Sequence, residues 1–260
     1  RPMPNDTPVQ LLWTGGWDST YRLLMLLLQL RLPVAPIYIY DAKRASAPVE
    51  MRTMEHLREA IAKSYPHARE LLHPTTVVCM EDIAPDEDIE RAFNRVLQKV
   101  RIGDQYAFIA RYSKQHGLDG VELTVENAPR GAHAALERNM ELVASPAGPT
   151  YRMRSDAEDD IRKVFGPFSC PIFMTRKEDM SAAVTRNGWQ PLMAMTWFCH
   201  KPSRKMEPCG FCNPCQYVLQ QGMGHRIPRS RRTLSRLYSF TLMPLRARTR
   251  QWLRRMRAQT

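Results

Sequence analysis

The sequence predicts an α/β fold, a parallel sheet with helices on both faces, followed by a cysteine-rich segment and a basic extension. Three observations predict it. Short apolar runs alternate with longer stretches of helical periodicity. The first apolar run passes through a glycine turn into a helical stretch. Four of the six cysteines fall within seventeen residues, spaced Cys199-x9-Cys209-x2-Cys212-x2-Cys215. At 260 residues and 43% hydrophobic content, the chain can bury one sizeable core and still carry an extension.

The elements follow in order. Residues 9–13 (Val-Gln-Leu-Leu-Trp) read as a buried strand, short and ended by Gly15-Gly16. Residues 18–31 read as a helix stopped by Pro33. Its leucine-rich stretch, 23–30, is far short of the ~20 apolar residues that span a bilayer, so it reads as a core helix. Residues 35–40 are a second strand. Residues 48–64 are a helix, with Met51, Met54, Leu57 and Ile61 near helical spacing. Val77–Met80 is a third strand, in which Cys79 reads as buried. Residues 86–100 are a helix with Asp86, Glu87 and Asp88 at its start and Lys99 at its end, as the helix dipole favours. Residues 104–116 are another helix, and 120–126 a fourth strand. Residues 127–160 hold three prolines, two glycines and an acidic run. They read as a long excursion with one helix near 133–144, serving as a lid or as a plain surface loop. The setting of Cys170 is open.

Strand, glycine turn and helix point backbone N–H groups at an anion. In Thr14-Gly15-Gly16-Trp17-Asp18-Ser19-Thr20, the glycines would let the backbone wrap phosphate oxygens. Asp18 can cap the helix, and Ser19 adds a hydroxyl. An ordinary strand–helix turn is the competing reading. The Gly-x4-Gly-Lys-Ser/Thr loop of kinases and GTPases occurs nowhere. Ligands of a parallel sheet bind at its carboxyl edge, where 14–19 and 41–44 would lie.

Thiolate pairs two residues apart fit a tight knuckle around one zinc ion, and Pro208, Gly210, Asn213 and Pro214 supply its turns. With all four ligands thiolate, such an ion would be structural. Two disulfides would need an oxidising compartment, and no secretory signal is visible. An iron–sulfur cluster is the other rival, but the x3-Cys-Pro that continues such motifs is absent. Arg1 in first place points to a start that lies upstream or was processed.

The glycine loop resembles the Ser-Gly-Gly-x-Asp-Ser pyrophosphate loop of the PP-loop ATP pyrophosphatase superfamily, with Thr14 in place of the serine. Within that superfamily the chain is most similar to the 7-cyano-7-deazaguanine synthase family of the queuosine pathway. The family's zinc site has the spacing of Cys199, Cys209, Cys212 and Cys215, and Thr196-Trp197 leads into it in the same way. Pro171–Glu178 resembles the family's Pro-x-x-x-Leu-Thr-Lys-x-Glu stretch, with Arg176 shifting the Thr–Lys spacing. The resemblance covers roughly 9–220 and implies an adenine nucleotide alpha hydrolase-like fold. It implies ATP and Mg²⁺ on Thr14–Thr20, with Asp18, Ser19 and Lys177 catalytic, and Zn²⁺ on the cysteines. The activity it implies is an AMP-forming carbon–nitrogen ligation, in which a substrate carboxylate is activated and then attacked by ammonia or an amine. Two family features are missing. Asn127-Ala128-Pro129-Arg130-Gly131 stands where the family has Gly-Tyr-Pro-Asp-Cys-Arg, and Arg101-Ile102-Gly103-Asp104 stands where it has an Arg-Asn pair. A rewritten substrate pocket is therefore expected. A tRNA- or nucleobase-modifying enzyme and a non-catalytic nucleotide-binding accessory are the competing functions. For Lys177, a solvated surface lysine is the bland alternative.

From Gln216 onward there are eleven Arg and no Lys, Asp or Glu, so this segment holds nearly all of the +12 net charge. Leu245, Thr249, Trp252, Leu253 and Met256 fall on one helical face among arginines. That pattern suits RNA phosphates or an anionic membrane surface, and also a tail that is solvated or docked on the body. The expected organisation is a nucleotide domain at 1–195, a zinc subdomain at 196–225 and the extension at 226–260. A cytoplasmic homodimer, with peripheral membrane contact through the tail, completes the expectations.

Overall fold

The computed structural model describes residues 7–129 and 131–235. The chain packs as two compact units. Among the described residues, one combines residues 7–43 with Glu50–Trp197; the other combines Arg44–Val49 with residues 198–235.

The first unit is α/β. Strand β1 (Val9–Leu12) passes through Thr14-Gly15-Gly16 into α1 (Trp17–Leu24), which widens into a π-helical turn at Met25–Gln29. There Leu30 N–H reaches back five residues to Met25 O at 3.0 Å. Next come β2 (Val34–Tyr40), α2 (Ala47–Ser64), α3 (Ala68–Leu71) and β3 (Thr76–Cys79). Helix α4 (Glu87–Lys99) is capped by Asp86, whose carboxylate accepts the Ile89 N–H at 3.0 Å. Helix α5 (Gln105–Gln115) leads to β4 (Val121–Glu122). Then follow α6 (Ala132–Leu136), β5 (Met140–Val143), β6 (Thr150–Met153), α7 (Asp159–Phe165), β7 (Phe168–Ser169), α8 (Lys177–Arg186) and α9 (Gln190–Ala194).

Five strands form one parallel sheet in the order β3-β2-β1-β4-β7. Side chains alternate across it with the period of two that a strand imposes. Leu12, Ile37 and Ile39 enter a core with Ile89, Phe93 and Val96 of α4, Ile109 of α5 and Phe165 of α7. Leu11, Trp13, Val34 and Tyr38 enter a second core with Leu23 and Leu24 of α1, Leu57 and Ile61 of α2, and Met180 and Val184 of α8. Helices therefore cover both faces, as expected.

Three local expectations need correction. The helix near 133–144 ends at Leu136, and Met140–Val143 pairs antiparallel with Thr150–Met153. The Pro146-Ala147-Gly148-Pro149 stretch cannot continue a helix and turns the chain back on itself, which favours a hairpin. Tyr151 and Cys170 exchange backbone hydrogen bonds of 3.3 and 2.8 Å, so this excursion is tied to the end of β7. The fourth strand stops at Glu122, and the chain over 123–128 runs off the sheet edge. Cys79 is exposed, because β3 is the edge strand. Cys170 is buried, and burial pushes its thiol up to about 12.

In the second unit, α10 (Asn213–Gln220) starts directly after Cys212, with Pro214 in its first turn where the missing N–H has no cost. Gly210 has φ +83°, and a Cβ there would stand 3.0 Å from the Arg231 carbonyl. Its own carbonyl accepts from Gln216 Nε2 and Ser235 Oγ, both at 2.7 Å. The amphipathic segment expected over 245–257 lies outside the described residues. Among the described residues, no helix is long and apolar enough to cross a membrane.

Candidate functional site

The strand order runs outward from β1 through β2 to β3, then returns to the other side of β1 with β4 and β7. The order reverses between β1 and β4. In open parallel sheets the crevice beyond the carboxyl ends at such a point is where ligands bind. Three chain segments leave the sheet there: the glycine loop after β1, residues 123–128 after β4, and residues 170–176 after β7.

The glycine loop is held from two sides. Gly15 has φ +69°, and a Cβ would lie 3.1 Å from Thr53 Cγ2 and 3.3 Å from Met54 Cγ. Both conformation and space therefore require glycine. The Gly15 carbonyl accepts the Trp197 N–H at 2.9 Å.

The predicted site residues divide into groups. Thr14 is exposed at the loop. Gly16 is the N-cap of α1 and Trp17 its first residue; Asp18 caps nothing, contrary to expectation. Ser19 is buried, with long contacts of 3.5 Å to the Thr14 N–H and the Gly16 carbonyl. Thr20 faces the core, where its hydroxyl accepts the Trp13 indole N–H at 3.1 Å, so its side chain serves packing and not the loop. Asp18 instead meets Lys177, the first residue of α8, in an ion pair. Lys177 Nζ also lies 3.0 Å from Glu126 Oε2. Asp18 and Lys177 are 159 residues apart in sequence, and the fold brings them together.

This cluster is electrostatically tuned. Burial alone would lower the Lys177 pKa, but Asp18 and then Glu126 outweigh it, and the pKa is raised. Burial raises the Glu126 pKa, the Asp18 charge adds to that, and Lys177 opposes it. Sequence reasoning placed Glu126 at a strand end and gave it no role. It also missed Arg22 and Glu122. Arg22 on α1 makes a bidentate pair with Glu122 on β4, at 2.8 and 2.6 Å, and donates to the Ala147 carbonyl at 3.0 Å. Both side chains are 4% exposed. An arginine inside a leucine-rich helix and a glutamate inside an apolar strand were the available signal.

In the second unit, Cys199, Cys209, Cys212 and Cys215 converge, with all four Sγ atoms within 4.8 Å of one another. None is in a disulfide. Four ligands ~2.3 Å from a tetrahedral centre lie ~3.8 Å apart. The Sγ···Sγ separations are 3.8 Å for Cys209–Cys215, 3.8 Å for Cys199–Cys212 and 3.4 Å for Cys212–Cys215. The gap is one ion wide, too narrow for a multi-iron cluster. Backbone N–H groups of Phe211 and Cys212 point at Cys209 Sγ, both at 3.3 Å, and that of Cys209 points at Cys199 Sγ at 3.2 Å. Donors aimed at sulfur stabilise the thiolate form and orient it. The group could hold one metal ion.

In comparisons with known proteins, no family model and no curated protein matches this chain.

Proposed function

We propose that this protein is a PP-loop-type ATP-dependent ligase that forms AMP and pyrophosphate. The observation that carries the reading is the meeting of Asp18, Glu126 and Lys177 at the reversal point of the sheet, with the N-termini of α1 and α8 opening on it. Two helix N-termini and an ammonium suit an anion as charged as a triphosphate. A lysine at the first position of a helix opposes the helix dipole. Asp18 and Glu126 already meet that charge, and a bound anion would be a further partner.

In this reading, the backbone N–H groups of Gly15 to Ser19 hold the phosphates, with Lys177 beside them. A substrate carboxylate oxygen attacks the α-phosphorus, the α–β bridge breaks, and pyrophosphate leaves. Ammonia or an amine then attacks the acyl carbon and expels AMP, giving an amide; where the nucleophile is ammonia, a second activation of the primary amide oxygen, with loss of both N–H protons, would give a nitrile. The protein contributes positioning and charge stabilisation. Mg²⁺ would accompany the phosphates. The cysteine site is assigned to Zn²⁺ in a structural role, because four thiolates leave no open position. A sulfur-relay function in tRNA thiolation has less support, since Cys170 is buried with its thiol pushed up to about 12 and four of the other sulfurs converge on one point.

Incubation with ATP, Mg²⁺, ammonia and a panel of carboxylates is expected to yield AMP and pyrophosphate, resolved by ion-exchange chromatography. Asp18→Ala is expected to lower turnover by on the order of 10²-fold or more, as when phosphate-stabilising groups are removed. ADP and orthophosphate as the products would overturn the assignment.

The substrate is proposed to differ from 7-carboxy-7-deazaguanine, because the segment after Glu126 lacks the Asp-Cys-Arg string of the synthases it resembles. That compound, with ATP and ammonia, is expected to give little nitrile by mass spectrometry. Turnover at about 1 s⁻¹ or faster, a rate ordinary for enzymes, would instead identify it as the substrate.

A further inference from the structure

Lys177 hydrogen-bonds Asp18 and lies at ion-pair distance from Glu126, two carboxylates that come from different parts of the chain. Asp18 stands in the first turn of α1, beside the loop that would receive the phosphates. Glu126 stands in the segment after β4, and its Oε2 lies 3.0 Å from Nζ. The backbone fixes this second contact: the Asn127 N–H donates to the Thr175 carbonyl at 3.0 Å, tying the residue after Glu126 to the stretch that leads into Lys177. The two acids are therefore not equivalent. A divalent cation arriving with a nucleotide competes with Lys177 for Asp18. Glu126 is anchored to the lysine's own segment and would remain on it.

We propose that Glu126 is a positioning residue that keeps the Lys177 ammonium charged and in place once Asp18 is engaged by a nucleotide and its cation. This rests on the nucleotide reading of the glycine loop. The lysine side chain retains 31% exposure, so water alone solvates its charge poorly. Asp18 and Glu126 are the acids that act on Lys177. Asp18, Lys177 and, more weakly, Glu178 act on Glu126, and Tyr106 of α5 also feels Asp18. Neutralising Asp18 leaves Glu126 as the remaining acid in direct ion-pair contact with Lys177 among the described residues.

The test separates this role from the reading beneath it. Lysines are reductively methylated with ¹³C, the Lys177 signal is assigned with Lys177→Arg, and its titration is followed by NMR without nucleotide. Glu126→Gln made in an Asp18→Asn background is expected to lower the Lys177 pKa by about one unit or more, a tenfold larger neutral fraction at a given pH. An unchanged titration would overturn the proposal whether or not the protein cleaves ATP. In pyrophosphate release, Glu126→Gln is expected to lose activity at a lower pH than the parent does. The sign follows from the lysine, which loses its proton as pH rises. Lys177→Arg added to Glu126→Gln should restore the alkaline limb, because a guanidinium stays charged. A uniform loss at every pH, unrelieved by arginine, would mark Glu126 as a structural residue and overturn the role. A parent protein that releases no pyrophosphate would remove the nucleotide reading, while the NMR titration would still decide whether Glu126 holds the lysine charged.

Discussion

Replacing Cys212 with serine is expected to release the metal and unfold the chain around the four cysteines. The reason is how little else that part of the chain buries. Among the described residues of this unit, the buried apolar side chains are Ala47, Val49, Cys199, Cys215, Val218 and Ile227. Two of these six are themselves in the sulfur cluster. A unit of this kind offsets little of its backbone entropy by apolar burial, and metal binding would then supply the folding free energy, on the order of 10 kcal/mol for a structural zinc site. Serine keeps the size of the residue but not the thiolate. The three remaining sulfurs would surround an ion with one ligand lost. Elemental analysis of the parent is expected to give one zinc per chain, and of Cys212→Ser a large loss. Limited proteolysis should then cut between residues 199 and 220 in the variant and in chelator-treated parent, but not in the metal-loaded parent. Full zinc occupancy in the variant, or stoichiometric iron in the parent, would sink the assignment.

The cysteine site was legible because its information is local. Sixteen peptide steps separate its outermost ligands, and turn-forming residues between them fix the approach. The glycine loop was legible for the same reason, and β1, β2 and α4 followed from apolar spacing and from acids at a helix start. The rest was lost where a local pattern fits two structures or where a partner lies far along the chain. Met140–Val143 has both helical neighbours and strand alternation, and only pairing with Thr150–Met153 decides between them. Cys79 sits in an apolar run that would suit a central strand, but strand order makes it an edge. Nothing near Asp18 announces Lys177, and nothing near Lys177 announces Glu126. Those contacts exist because three segments leave adjacent parallel strands at the same edge. Lys177 stood out in the sequence only through the motif of the family it resembles, and Glu126 stood in no motif at all.

The Arg22–Glu122 pair carries the second large effect. Arg22→Met is expected to destabilise the first unit by about 3–5 kcal/mol, the range for removing one partner from a buried ion pair. The loss arises less from the attraction itself than from what is left behind. Glu122 would be left at 4% exposure without its partner, and the Ala147 carbonyl would lose its donor. Removing both charges relieves the first of these costs. Arg22→Met combined with Glu122→Leu should therefore be closer to the parent than either single variant, and the double-mutant cycle should show coupling of at least about 1 kcal/mol. Urea unfolding followed by tryptophan fluorescence would measure it, since Trp13 is buried in the core shared with α1. Additive single effects, or single variants within about 0.5 kcal/mol of the parent, would mean that the pair is not the constraint its burial indicates. The geometry gives the pair a second consequence. Arg22 lies one helical turn beyond Asp18 on α1, and Glu122 lies one strand end before Glu126. The bridge fixes α1 against β4, so it sets the register between the two carboxylates that hold Lys177. The double variant should therefore unfold much like the parent and yet lose the pyrophosphate release proposed for the parent, because a helix free to shift against the strand no longer presents Asp18 and Glu126 to the same ammonium.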